Sequence, residues 1–179
     1  MKNLCLVFLA VVPLTVLGQV RDERGVTVGA DVMVRVEPLA ENIIRVRAVP
    51  TGQFENKAPS LMVVPQTQPA PRFSVSEEDG KVMLATAALK ACVDKRTGRV
   101  EFRDAAGGLL LGESESGKKF RRNADGYTWQ LQFESPEDEA FYGLGQHQAG
   151  ELDMKGKNEE LFQYNTKLSV PFVVSSRGY

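Results

Sequence analysis

The chain has 179 residues, of which 22 are lysine or arginine and 23 are aspartate or glutamate, giving a net charge of −1 at pH 7. This near-neutral balance excludes the strongly basic surface on which binding to nucleic acid or to an anionic membrane depends. Two cysteines and a single histidine are too few for the four nitrogen or sulfur ligands of a structural zinc site. We therefore expect neither a metal nor a cofactor.

The first residues have the organisation of a secretory signal peptide. Lys2 precedes an apolar run over residues 4–17, and the small residue Gly18 follows it, as a signal-peptide cleavage site requires. We expect cleavage between Gly18 and Gln19, which removes residues 1–18 and makes the protein secreted or periplasmic. An uncleaved anchor is the alternative, but the run is shorter than the about 20 residues of a membrane span, and Pro13 interrupts it. No later segment predicts a span.

Two segments near the start of the remaining chain alternate between apolar and polar side chains. Residues 26–37 have the period of two that is typical of a half-buried strand. We expect a bend or a break near Gly29, because glycine weakens the interior of a strand. After a turn at residues 40–42, residues 43–50 alternate again. β-Branched residues dominate both segments, which favours an antiparallel pair of strands.

Turn-forming residues divide the rest of the chain. Five prolines between residues 50 and 71 predict a loop with a short edge strand, because proline cannot donate to a ladder. Within residues 72–104, Asp-Gly and Thr-Gly pairs supply the positive φ angles of tight hairpins. Residues 126–134 predict another strand, with Tyr127 and Trp129 on one face that we interpret as core.

No window has the period of a helix, and short strands recur at a spacing of roughly 8–12 residues. The sequence therefore predicts an all-β domain over residues 19–179, built as an antiparallel β-sandwich. The last strand lies near residues 168–176, and its apolar run should leave an exposed patch and edge if its neighbours are missing.

Few residues of the chain suggest chemistry by themselves. The glycines of residues 141–150 do not have the spacing of a dinucleotide-binding loop. His147 has no evident acid to orient it, so we interpret it as a hydrogen-bonding loop residue. The acidic runs 77–79 and 137–139 border turns and predict solvated loops. Cys92, alone once Cys5 is removed with the signal peptide, predicts an inert buried thiol and no internal disulfide.

The stretches "FYGLGQH", "KGK" and "LFQYNTKLSVPFVVSSRGY", over residues 141–179, strongly resemble the N-terminal region of glycoside hydrolase family 31. This family includes α-glucosidases and α-xylosidases. Upstream, "NIIRVRAVP" and "ALKACVDKRTGRVEFRDAAGGLLLGE" resemble early strands of the same region. The resemblance implies a galactose mutarotase-like β-sandwich that packs on a (β/α)8 barrel. In such enzymes two barrel aspartates carry out retaining hydrolysis, so we expect no catalytic residue in this chain, truncation before the barrel, and no activity of the fragment alone.

The resemblance also implies that the loop over residues 146–168 shapes the site for an α-linked oligosaccharide or polysaccharide. Asn165 aligns with a substrate-binding aspartate of many relatives, and Gln146 replaces a common glutamate. Thr166 and His147 complete the set of expected substrate contacts. For Asn165, a structural role in a turn is equally open. The neighbouring glycines, Gly143 and Gly145, either turn the chain towards this loop or serve strand packing, which is the alternative that we favour for Gly143.

Two other functions stay open. A stand-alone carbohydrate-binding sandwich would need exposed aromatic platforms, for which Trp129 and Tyr127 are candidates, although their alternation favours the core. A truncated product without function would expose the apolar last strand and would be poorly soluble.

Overall fold

The computed structural model describes residues 19–29, 32–50, 54, 71–148 and 150–179. Every regular element in these ranges is a β-strand, and all strand pairs are antiparallel. The all-β prediction is therefore confirmed. The expected signal peptide and nearly all of the proline-rich segment lie outside the described residues. Among those described, no helix is long and apolar enough to cross a membrane.

The first sheet contains four strands in the order in which they occur along the chain. These strands are β1 (Val20–Asp22), β2 (Gly25–Val28), β3 (Met33–Ala40) and β4 (Ile43–Val49). The alternating segment thus breaks near Gly29, as expected, and β2 folds back on β3. β3 and β4 form the predicted antiparallel pair.

The second sheet is a meander of five strands in chain order. Its strands are β5 (Ser74–Glu78), β6 (Lys81–Ala85), β7 (Leu89–Asp94), β8 (Val100–Asp104) and β9 (Leu109–Gly112). Asp79 and Gly80, with φ angles of 48° and 74°, form the turn between β5 and β6, and two consecutive positive φ angles are characteristic of a type I′ hairpin. The predicted hairpin chemistry is confirmed here.

The two sheets pack face to face and enclose one apolar core. Each inner face consists of alternate residues of its strands, which is the pattern expected of a sandwich. The buried residues of this apolar cluster are Val26, Val28, Val34, Val36, Val82, Leu84, Ala91, Val93 and Val100. Side chains of β4, at Ile44, Val46 and Ala48, pack against this cluster. The predicted antiparallel sandwich is confirmed.

Charged side chains cover the outer faces of both sheets in ordered groups. Glu37 on β3 is nearly buried and pairs with Arg35, Arg45 and Arg47 over 2.7–3.2 Å. Glu101 on β8 is held by arginines in the same way. In these networks, arginine side chains neutralise and hydrogen-bond carboxylates that are shielded from water.

Cys92 lies opposite Glu101 on the same outer face. Its side chain is half-buried, so the prediction of a buried thiol is wrong. Cys92 alternates with the core residues Ala91 and Val93 and therefore lies on the outer face. Burial raises the pKa of the thiol, which keeps it protonated and unreactive at neutral pH.

Two further hairpins follow the sandwich sheets. They consist of β10 (Lys119–Asn123) with β11 (Gly126–Gln130), and β12 (Phe141–Gln146) with β13 (Leu168–Ser175). The expected core face of β11 is wrong: Trp129 is 71% exposed and Tyr127 is 42% exposed. β11 pairs only with β10, so no second sheet covers this face among the described residues.

Candidate functional site

The glycines of β12 are required by the close approach of β13. At Gly143, with φ at 130°, a Cβ would lie 2.4 Å from the carbonyl oxygen of Phe172. At Gly145, with φ at 107°, a Cβ would lie 2.0 Å from the carbonyl oxygen of Leu168. The ladder changes register between these two glycines, as at a β-bulge. The close approach of β13 supports the packing alternative at both positions, and a turn of the chain towards the loop stays open beside it.

A 21-residue loop, residues 147–167, begins and ends at one point of this hairpin, because Gln146 pairs with Leu168. Just before β13, Tyr164 and Lys167 form an isolated antiparallel bridge. Their backbone groups bond to each other over 2.9 and 3.3 Å. Asn165 and Thr166 are the two residues of the turn that this bridge closes.

The four residues expected to contact a sugar therefore lie at the same end of the β12–β13 hairpin. Asn165 and Thr166 occupy the exposed turn, and Gln146 is the exposed last residue of β12. His147 follows Gln146 but is partly buried. The turn position of Asn165 agrees with its structural alternative and also leaves its amide open to solvent, so its contact with substrate stays a prediction.

An exposed aromatic pair stands beside this turn and was missed in the sequence. Phe162 and Tyr164 stack with their ring centroids 5.2 Å apart and their planes at 21°, although 49% and 57% of their surface is exposed. The Nζ atom of Lys167 lies 5.2 Å from the centroid of the Phe162 ring. The spacing of these two aromatic residues, at alternate positions of the sequence, could have indicated an exposed pair. Such exposed rings can stack on the apolar face of a sugar.

His147 has an acidic partner that the sequence did not reveal. Its Nδ1 lies 3.3 Å from Oε1 of Glu159, and its Nε2 lies 2.8 Å from the carbonyl oxygen of Leu144. Lys167 also pairs with Oε1 of Glu159. The hydrogen bond from Lys167 holds the pKa of the Glu159 carboxyl below its ordinary value. The prediction that His147 lacks an orienting acid is wrong, because a loop contact twelve residues away provides it.

The prediction that the acidic run 137–139 is a solvated loop is wrong at Glu139. Only 2% of this residue is exposed, and its Oε1 accepts hydrogen bonds from the hydroxyls of Ser175 and Tyr179. Burial, followed by the bond to Glu139, raises the pKa of the Tyr179 phenol. The network ties the chain before β12 to the turn after β13, whereas the adjacent Asp138 is exposed as expected.

Comparison with known proteins identifies the domain. Residues 33–179 match the family described as the glycosyl hydrolase 31 N-terminal galactose mutarotase-like domain. An α-xylosidase of Saccharolobus solfataricus is 30% identical over 155 residues, which cover 82% of this chain and 21% of that protein.

Two solved structures of α-xylosidases share the fold. The enzyme from Xanthomonas citri is 40% identical with a TM-score of 0.81, over 88% of this chain and 18% of that one. An enzyme from a soil metagenome, complexed with xylose, is 28% identical with a TM-score of 0.72, over 89% and 26%. The chain thus spans about a fifth to a quarter of the length of these relatives. It belongs to the family of glycoside hydrolase 31 N-terminal galactose mutarotase-like domains.

Proposed function

We propose that this chain is the non-catalytic N-terminal β-sandwich of an exported, retaining α-glycosidase that hydrolyses α-linked oligosaccharides or polysaccharides. The similar α-xylosidases, one of them bound to xylose, favour an α-xylosidase, with an α-glucosidase as the neighbouring specificity. The signal-like residues 1–18 support export. The catalytic aspartates belong to a (β/α)8 barrel, which takes about 250 residues and on which this sandwich packs.

The surroundings of the buried carboxylates among the described residues support the assignment of catalysis to the barrel and not to the sandwich. Retaining hydrolysis needs two carboxyl groups about 5–5.5 Å apart, with one of them free to attack the sugar. Glu37 and Glu101 are instead surrounded by arginines, Glu113 pairs with Lys118 at 3.0 Å, and Glu139 binds two hydroxyls. Each of these carboxylates is therefore engaged by basic side chains or by hydroxyl groups through at least one oxygen.

The contribution of this domain to the substrate site is the loop over residues 146–168. The observation that carries this proposal is the exposed stack of Phe162 and Tyr164 beside the polar turn. A sugar ring has an apolar face and a rim of hydroxyl groups. The aromatic pair can stack on the apolar face, and the polar turn can bond to the hydroxyl groups. The Asn165 amide can donate to one hydroxyl and accept from another, and it adds no charge where a relative would carry an aspartate.

Substitution of Asn165 in the full-length enzyme tests this role. We expect Asn165→Ala to raise KM about 3- to 10-fold and to leave kcat nearly unchanged, because it removes a hydrogen bond made in both ground and transition states. Asn123→Ala is the matched control, since Asn123 caps the turn after β10 through a 3.1 Å bond to the amide of Asp125. Equal KM values for the two variants would contradict the assignment of the loop.

The exposed face of β11 favours a second candidate function, a carbohydrate-binding surface. The pairing of Phe120 with Trp129 and of Arg122 with Tyr127 puts three aromatic rings and one cation on the same face of the hairpin. Retention of residues 19–179 on xyloglucan or starch, lost in Trp129→Ala, would support this function. Absence of retention would leave the face as a surface for the rest of the enzyme.

A further inference from the structure

The base of the loop is formed by residues 147 and 167, which adjoin the two strands. His147 directly follows β12 and Lys167 directly precedes β13. Because Gln146 and Leu168 are paired, these two side chains start from neighbouring positions. Glu159, from the middle of the loop, places the same oxygen, Oε1, against both of them. One carboxylate thus joins the two ends of the loop to its middle.

The hydrogen bond of His147 indicates which of its ring nitrogens carries a proton. A carbonyl oxygen only accepts, so Nε2 must carry the proton that is donated to Leu144 over 2.8 Å. Nδ1 lies 3.3 Å from Oε1 of Glu159, so one ring nitrogen faces a carbonyl oxygen and the other faces a carboxylate oxygen. Nδ1 is buried and makes no hydrogen bond, so its contact with Glu159 is electrostatic.

Lower exposure to water distinguishes this group from an ordinary surface ion pair. The His147, Glu159 and Lys167 side chains are only 10%, 15% and 15% exposed, and screening is weaker for partly buried charges. A second ion pair of the loop, Glu151 with Lys157, has side chains that are 41% and 45% exposed. Exposed pairs of this kind contribute little.

We propose that His147, Glu159 and Lys167 form an ionic clamp that positions the Asn165–Thr166 turn for sugar binding. The proposal rests on the proposed function of the loop, and it makes all three positioning residues rather than sugar contacts. Both ring nitrogens of His147 already face protein groups. Lys167 transmits the position of the clamp directly, because its backbone closes the turn and its ammonium group lies by the Phe162 ring.

The test compares two glutamate substitutions in the full-length enzyme with an α-xyloside oligosaccharide as substrate. We expect Glu159→Gln to raise KM about 5- to 20-fold with kcat within about twofold, since only the position of the binding turn is lost. Glu151→Gln, the same change in the exposed pair, should leave both constants within about twofold. A thermal midpoint unchanged within about 2 °C separates positioning from loss of folding. If Glu159→Gln does not fold, Glu159→Asp keeps the charge and shortens its reach, and it should raise KM in the same way.

Two further variants separate the clamp from a simple loss of charge. Lys167→Arg retains the cation and should keep KM within about threefold, whereas Lys167→Met should match Glu159→Gln. The double variant Glu159→Gln/Lys167→Met should be no worse than the poorer single variant, because both remove the same contact. Additive effects of the two substitutions on KM would overturn the clamp. So would equal KM values for Glu159→Gln and Glu151→Gln, and if Asn165→Ala still raises KM, only the clamp is overturned. No effect of Asn165→Ala would overturn the proposed function as well.

Discussion

Substitution of Gly145 by alanine tests the physical reason for the glycines of β12. Gly145 has a φ of 107°, and its added Cβ would lie 2.0 Å from the Leu168 carbonyl oxygen, about 1 Å inside the 3.0 Å below which real Cβ contacts are essentially never found. The neighbouring atoms are backbone, so no side-chain rotation relieves the overlap. β13 must move away from β12 by about 1 Å.

The free energy of unfolding should fall by about 3–5 kcal/mol. A non-glycine residue at such a φ costs of order 1–3 kcal/mol. Displacement of β13 weakens the ladder at the Gly145–Ser169 and Gln146–Leu168 pairs, and each lost hydrogen bond costs about 0.5–1.5 kcal/mol. Gly156→Ala is the matched control: its φ is also positive, at 69°, but no atom lies within 4 Å of the new Cβ. Backbone strain alone should then cost about 1–2 kcal/mol.

Urea-dependent proteolysis of residues 19–179 displayed on yeast measures the difference, because display keeps aggregation-prone copies apart. We expect the urea concentration at half-cleavage to fall markedly for Gly145→Ala and slightly for Gly156→Ala. Equal losses for the two variants would refute the steric argument, since they would show that backbone strain, and not the approach of β13, makes glycine necessary at position 145.

Three further outcomes follow from the same structure. Glu139→Ala should destabilise the domain by about 2–4 kcal/mol in the same proteolysis assay, because it leaves the Ser175 and Tyr179 hydroxyls without their acceptor; a change below about 0.5 kcal/mol would contradict this. Burial of Glu37 raises its pKa, but bonds from Arg35 and Arg45 outweigh burial and hold it below its ordinary value of 4.5. Its stabilisation is therefore complete above pH 4.5 and lost as pH falls through the lower folded-state value, so Glu37→Gln should flatten the acid loss of stability in urea titrations at pH 2–7. Trp129, the only tryptophan of the chain, should be readily quenched by iodide in dilute soluble chain; a shielded indole would contradict the exposed hairpin face.

Local patterns predicted the strands well because the period of two and the turn glycines act within a few residues. The alternation in β3 and β4 and the Asp79–Gly80 turn needed no distant information. The same alternation could not assign the face of β11, since Trp129 obeys it whether a sheet covers the strand or not. The burial of Glu139 depends on Ser175 and Tyr179, which are 36 and 40 residues away, and no local signal encodes such a contact.

The same distinction between local and distant information applies to the candidate site. Asn165, Thr166, Gln146 and His147 were found through resemblance to relatives, which locates a motif but does not reveal which groups hold it. Glu159 and the Phe162–Tyr164 stack emerged only once the pairing of Gln146 with Leu168 brought the two ends of the loop together. The packed valines hold the two sandwich sheets together, whereas the charges at the base of the loop act on the β12–β13 hairpin. Under the proposed function, specificity can therefore change through the loop while the sandwich core stays the same.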